Sequence, residues 1–224
     1  MNEAMTLSGP SHGPLSGGQA KRLVILLHGI GADGNDLIGL APQLAQVIPD
    51  AAFVAPNAPF PCDMAPFGYQ WFSLADRAPA AMLAGARAVA PILNGFIDAS
   101  LDSHGLAERD LVLVGFSQGT MMSLYVAPRR ERPCAGVIGF SGALMGVQDL
   151  AAEIRSRPPV LLVHGDADPV VPFAAMDAAA QDLARVGIEV EAHRRPGVGH
   201  GIDPTGLELA GTFLARILAG NSRG

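Results

Sequence analysis

The stretch Leu111-Val112-Leu113-Val114-Gly115-Phe116-Ser117-Gln118-Gly119-Thr120-Met121-Met122-Ser123-Leu124 decides the fold. Four apolar residues of the kind that fill a strand buried on both faces run straight into Gly-x-Ser-x-Gly, and helically spaced apolar residues follow. A strand that becomes a helix within five residues must pass a strained corner, where neighbouring backbone leaves little room for Cβ atoms. Gly115 and Gly119 meet that need, and Ser117 then stands at the tip of a nucleophile elbow. A second string, Gly139-Phe140-Ser141-Gly142-Ala143, also follows an apolar strand but has Ala143 where the closing glycine belongs, so Ser141 reads as structural or pocket-lining. Ser73, Ser100 and Ser123 lack such surroundings altogether.

Outward from the elbow, short apolar runs of the same kind occupy 23–27, 52–54, 137–140 and 160–163, and residues 188–193 alternate as an edge strand does. Helical spacing fills 37–48, 79–101, 120–126, 147–154, 174–186 and 204–218. The alternation predicts an α/β fold: right-handed βαβ units forming a mostly parallel central sheet with helices on both faces. Residues 1–20, rich in Gly, Ser and Pro, read as an N-terminal arm or edge hairpin. Residues 21–224 read as one domain, since no linker or repeat interrupts them.

Composition narrows the classes. Hydrophobic residues at 49% and charged residues at 16% exclude a disordered chain, and 27 glycines with 18 prolines imply many tight turns rather than a low-complexity tract. A net charge of −6, with only Arg129, Arg130 and Arg132 clustered among 15 basic residues, argues against nucleic-acid or anionic-membrane partners. No apolar run approaches the ~18 residues of a spanning helix, and the first ten residues have neither the basic nor the apolar stretch of a leader. The expectation is a cytoplasmic protein without stable membrane anchoring, with a homodimer left open. Cys62 and Cys134 have no zinc or disulfide spacing and read as packed thiols, and neither a metal nor a cofactor is expected.

Two glycine motifs compete for the function. Gly29, Gly31 and Gly34 satisfy the GxGxxG of a dinucleotide-binding turn, which would imply an oxidoreductase. That fingerprint also needs an acidic residue at the end of the second strand, where this chain has Val54-Ala55-Pro56-Asn57; Asp50 precedes the strand. The elbow is the stronger motif. Its serine needs a base oriented by an acid, in the order Ser, Asp or Glu, His. Among the downstream histidines, His164 precedes the acids and His193 lies within the alternating strand. His200 sits in a mobile-looking loop before the last helix and is favoured as base. Asp166 and Asp168 both follow the 160–163 run, and periodicity does not separate them; Asp168 is preferred because Asp166 is placed to cap the turn. The backbone amides of Gln118 and Ile30, the latter in His28-Gly29-Ile30-Gly31, are the expected oxyanion-hole donors.

These motifs together, with His164-Gly165-Asp166-Ala167-Asp168-Pro169-Val170-Val171-Pro172 and Gly199-His200, resemble the phospholipase/carboxylesterase family of α/β-hydrolases, which includes small bacterial esterases and acyl-protein thioesterases. The similarity spans nearly the whole chain after the arm. It implies an α/β-hydrolase fold, Ser117 as nucleophile, Asp168 as acid, His200 as base, and Ile30 and Gln118 as oxyanion donors. Two departures touch substrate choice: Ser73 stands where many relatives have Asp, and Thr120 where many have Gly. The expected reaction is hydrolysis of a small-molecule ester of short-to-medium acyl chain, with thioesterase or lysophospholipase activity as the alternative. The stretch 140–158 has room for one short helix, so no cap domain is expected. The apolar loop 60–72, with Met64, Phe67, Trp71 and Phe72, is read either as an acyl groove or as packing under a long loop.

Overall fold

In the computed structural model, which describes residues 6–220, the apolar runs become strands of one sheet. The strands are β1 (Ser11–His12), β2 (Arg22–Leu27), β3 (Ala51–Val54), β4 (Phe60–Pro61), β5 (Tyr69–Gln70), β6 (Leu111–Phe116), β7 (Gly136–Phe140), β8 (Val160–Gly165) and β9 (Val190–Arg195). Seven of them form the sheet β1-β3-β2-β6-β7-β8-β9, parallel except for β1, while β4 and β5 pair as a separate antiparallel hairpin. Of the N-terminal arm, residues 1–5 lie outside the described residues. Beyond them β1 pairs with β3, and the carbonyls of Ser8 and Pro10 accept the amides of Asn57 and Ala55.

Strand side chains alternate between faces, and both faces are covered. Leu23, Ile25 and Leu27 belong to one core with helices α3 (Pro79–His104), α4 (Gln118–Val126) and α6 (Ala174–Arg185). Val24 and Leu26 belong to the other, with α1 (Gly34–Ile38), α2 (Ala41–Leu44) and α7 (Pro204–Gly220). A fully buried aliphatic side chain contributes about 1.5–3 kcal/mol, so these continuous runs are where the fold's stability resides.

Three expectations are corrected. The helix read over 37–48 is two short helices, because Pro42 lacks an amide and fits only a first turn, so the chain stops and restarts before it. The edge strand runs over 190–195 rather than 188–193, and Ile188 is buried ahead of it. The 26-residue α3 is long and apolar enough, by length and composition, to cross a membrane, contrary to the sequence reading. Its buried stripe Leu83, Ala86, Val89, Leu93, Ile97 and Leu101 packs in the core, so here it is a core helix.

The strand order places the site. The chain leaves β2 toward β3 and later returns on the opposite side of β2 as β6, so the loops after β2 and β6 diverge at their carboxyl ends and leave a crevice. Between β7 and β8 the one helix is the seven-residue α5 (Val147–Glu153); no cap domain stands over the crevice among the described residues.

Candidate active site

The elbow folds as its glycines require. A Cβ on Gly119 would run into the carbonyl of Leu27, and one on Gly115 would run into the amide of Thr120 and the backbone of Gly119. Ser117 takes φ 53° and ψ −115°, a left-handed conformation that costs roughly 1–3 kcal/mol for a residue with a Cβ. The neighbouring strand holds it there: the Phe140 carbonyl accepts both the Ser117 amide (2.9 Å) and the Thr120 hydroxyl (2.8 Å). Thr120 thus has a defined place, its methyl group filling the space beside Gly139 and Gly142. Ser141 is buried at φ 49°, and its hydroxyl has no partner among the described residues.

Of the two acids, Asp168 meets the histidine. His200 Nδ1 lies 2.7 Å from Asp168 Oδ2, and Oδ1 accepts the amides of Val170 (2.8 Å) and Val171 (2.9 Å). Burial pushes the Asp168 carboxyl up, but the hydrogen bonds from His200, Val171 and Val170 outweigh it and hold the group below its ordinary value. An ionised Asp168 can only accept, so His200 Nδ1 carries the proton and Nε2 keeps a free lone pair. His164 lies beneath, with Nε2 2.9 Å from the Val171 carbonyl and 3.3 Å from Asp168 Oδ2. The His200 ring packs on Phe116, the residue before Ser117, with centroids 4.9 Å apart. His193 is half-exposed on β9, with Nε2 3.8 Å from Glu191 Oε2.

The loop carrying His200 is pinned at several points, contrary to its mobile-looking sequence. Asp166 Oδ1 accepts the Gly197 amide at 2.7 Å while Oδ2 pairs with Arg194, and the Arg194 hydrogen bond holds that carboxyl below its ordinary value. The Val198 carbonyl accepts the Ala167 amide at 3.1 Å. Arg195 grips Asp203 through Nε and Nη2, with a shortest contact of 2.9 Å, and Asp203 also caps α7 through the Gly206 amide. Loss of such a cap costs about 1 kcal/mol, so Asp203→Ala should lower stability by at least that amount in urea unfolding at pH 7. The Arg195 hydrogen bond holds the Asp203 carboxyl below its ordinary value despite some desolvation. Its contribution is therefore present above the unfolded carboxyl pKa of about 3.9 and lost as pH falls through the lower folded value. Wild type should lose stability more steeply than Asp203→Ala below about pH 4.

Both expected oxyanion donors flank the crevice. The Gln118 amide opens α4 and has no intrahelical acceptor. The half-buried Ile30 lies in the loop after β2, whose conformation His28 fixes from below. His28 Nε2 accepts the Ala58 amide at 3.0 Å, which leaves Nδ1 to donate to the Gly29 carbonyl at 2.7 Å. Burial keeps the His28 pKa below its ordinary value. The rival GxGxxG reading fails here: Asp33 caps α1, accepting the Asn35 amide, and so holds a carboxylate where a dinucleotide would place its pyrophosphate.

The four expected substrate-binding residues divide. Met64 and Phe67 are 54% and 73% exposed on the loop joining β4 to β5. Trp71 and Phe72, at 0% and 2%, are core residues and line no groove; an aromatic after a hairpin packs inward when the helix below, here α3 with Gly85 against the Phe72 ring, leaves room for it. Ser73 donates to Asp63 at the base of this hairpin. The residue whose structural part the sequence did not reveal is Gln118: its side-chain amide reaches 47 positions back to Trp71. Cys134 is a packed thiol whose pKa burial pushes up to about 12. Among the described residues no group of three His, Cys, Asp or Glu side chains is arranged to hold a metal ion.

The chain is similar to several known proteins. A solved structure of esterase PE8 is 46% identical and superposes with a TM-score of 0.91 over 95% of this chain and 99% of that one. Esterase YpfH of Escherichia coli (strain K12) is 27% identical over 191 residues, 85% of this chain and 81% of that protein. Acyl-protein thioesterase 1 of Gibberella zeae is 32% identical over 130 residues, 56% of this chain and 55% of that protein, so the chain spans about half the length of such curated relatives. The model of the Phospholipase/Carboxylesterase family matches residues 15–218, and the chain belongs to that family.

Proposed function

We propose that the protein is a carboxylesterase that cleaves esters of short-to-medium acyl chain through a Ser117-His200-Asp168 triad, without metal or cofactor. The observation that carries this reading is the His200–Asp168 hydrogen bond, on a ring packed against Phe116 beside the elbow serine. His200 Nε2 takes the Ser117 hydroxyl proton as Oγ attacks the acyl carbonyl. The resulting oxyanion is held by the Gln118 and Ile30 amides. His200 then protonates the departing alcohol, and in the second half it takes a proton from the water that cleaves the acyl-enzyme to the acid.

Support for an ester rather than another acyl donor comes from the 46% identical relative, an esterase. Met64 and Phe67, exposed on a loop beside the crevice, are offered as the apolar surface for the acyl chain. The names of other relatives, an acyl-protein thioesterase and a lysophospholipase-like protein, support the second reading. A panel of p-nitrophenyl esters, acyl-CoA, lysophospholipid and acylated peptide, compared by kcat/KM, decides between them. The expected result is a maximum at short-to-medium p-nitrophenyl esters; activity rising steadily to long chains, or highest on the thioester, contradicts it. The location proposed is the cytoplasm, supported by two cysteines that remain unpaired.

A further inference from the structure

The segment from Tyr69 to Phe72 touches both halves of the oxyanion hole. On one side the Gln118 side chain is wholly buried and spends its amide on this segment: Oε1 accepts the Trp71 N–H at 2.9 Å, and Nε2 donates to the Phe72 carbonyl at 2.7 Å. On the other side the segment is joined to the loop after β2. The Tyr69 carbonyl accepts the Gly31 N–H at 2.8 Å, the Tyr69 N–H donates to the Ala32 carbonyl at 2.8 Å, and the Trp71 indole Nε1 donates to the His28 carbonyl at 3.0 Å. These five hydrogen bonds connect Gln118, whose amide is one donor, to His28, Gly31 and Ala32, which flank Ile30, the other.

We infer that the Gln118 side chain and the Trp71 indole are positioning residues, which act through the Tyr69–Phe72 segment as a brace that sets the spacing of the two oxyanion amides. The inference rests on the serine-hydrolase reading above. Preorganised donors stabilise a developing oxyanion because they need no reorientation during the reaction, so a brace that fixes two amides from different loops acts on the transition state. Neither side chain faces the crevice; both are fully buried. Their effect therefore falls on kcat and not on substrate binding. It also gives Trp71 a part in the site, although it lines no groove.

The test uses the full chain with Gln118→Met, which keeps the length of the side chain but removes both of its hydrogen bonds, and Trp71→Phe, which keeps a buried aromatic ring but removes the indole donor together with part of the ring volume. Active sites are first titrated with a fluorophosphonate so that kcat is expressed per competent site. Gln118→Met should lower that kcat about 10- to 100-fold, and Trp71→Phe about fivefold to tenfold, both with KM near wild type. Affinity for a trifluoromethyl ketone, which forms a tetrahedral adduct on the serine, should fall by the same factors. Variants that melt earlier yet turn over at the wild-type rate per titrated site would overturn the brace, since that is the signature of packing alone. Should Gln118→Met not fold, Trp71→Phe decides on the same readouts. Wild type that takes up no fluorophosphonate overturns the hydrolase reading itself, whereas labelled wild type with unimpaired variants overturns only the brace.

Discussion

Ser117→Ala is expected to lower kcat/KM for a p-nitrophenyl ester by about 10⁴- to 10⁶-fold, the range set by removal of a nucleophile that works as a unit with its base. Alanine keeps the Cβ, so it inherits the same left-handed backbone at φ 53°, and the Phe140 carbonyl still receives the residue-117 amide. Unfolding free energy should therefore stay within about 1 kcal/mol of wild type. A folded variant that has lost only its turnover separates chemistry from stability. The assay is steady-state hydrolysis beside urea unfolding, and retention of more than a few per cent of activity would remove Ser117 from the mechanism.

Asp168→Asn carries the second largest expected effect, a loss of about 10³- to 10⁴-fold in kcat. The reason is tautomeric. An asparagine has one acceptor oxygen, and the two amides of Val170 and Val171 at Oδ1 claim it, which turns the NH₂ toward His200. His200 Nδ1 must then accept, the ring proton moves to Nε2, and the base has no lone pair for Ser117. Asp166→Asn serves as the comparison, because Asp166 bonds Arg194 and Gly197 and does not touch His200. It should retain most of the activity. Equal losses in the two variants would place the effect in the turn rather than in the triad.

The contrast between these two acids shows where sequence reading stopped. Strand, elbow and helix were legible at 111–124 because the strained corner admits so few residue types, and the downstream order of acid and histidine followed from the fold. Periodicity does not separate Asp166 from Asp168, and the preference for Asp168 rests on Asp166 capping the turn, yet both acids accept backbone amides: Gly197 in one case, Val170 and Val171 in the other. Capping therefore did not distinguish them; the path of the loop after β9 did, and that depends on contacts such as Arg195 with Asp203 that no local pattern encodes. Trp71 and Phe72 were ambiguous for a related reason. Their hydrophobicity says that they leave water, not whether a substrate or the core receives them. The Gln118 clamp was hidden more deeply, because it joins residues 47 positions apart through a side chain read only for its backbone amide.

The most direct test of a triad nucleophile at the elbow is covalent capture. Wild-type protein treated with a fluorophosphonate, digested and analysed by mass spectrometry should carry one phosphonyl group on Ser117, with loss of esterase activity in proportion to labelling. Ser117→Ala should take up none. Label on another residue, or wild type left unmodified and active, would contradict the account.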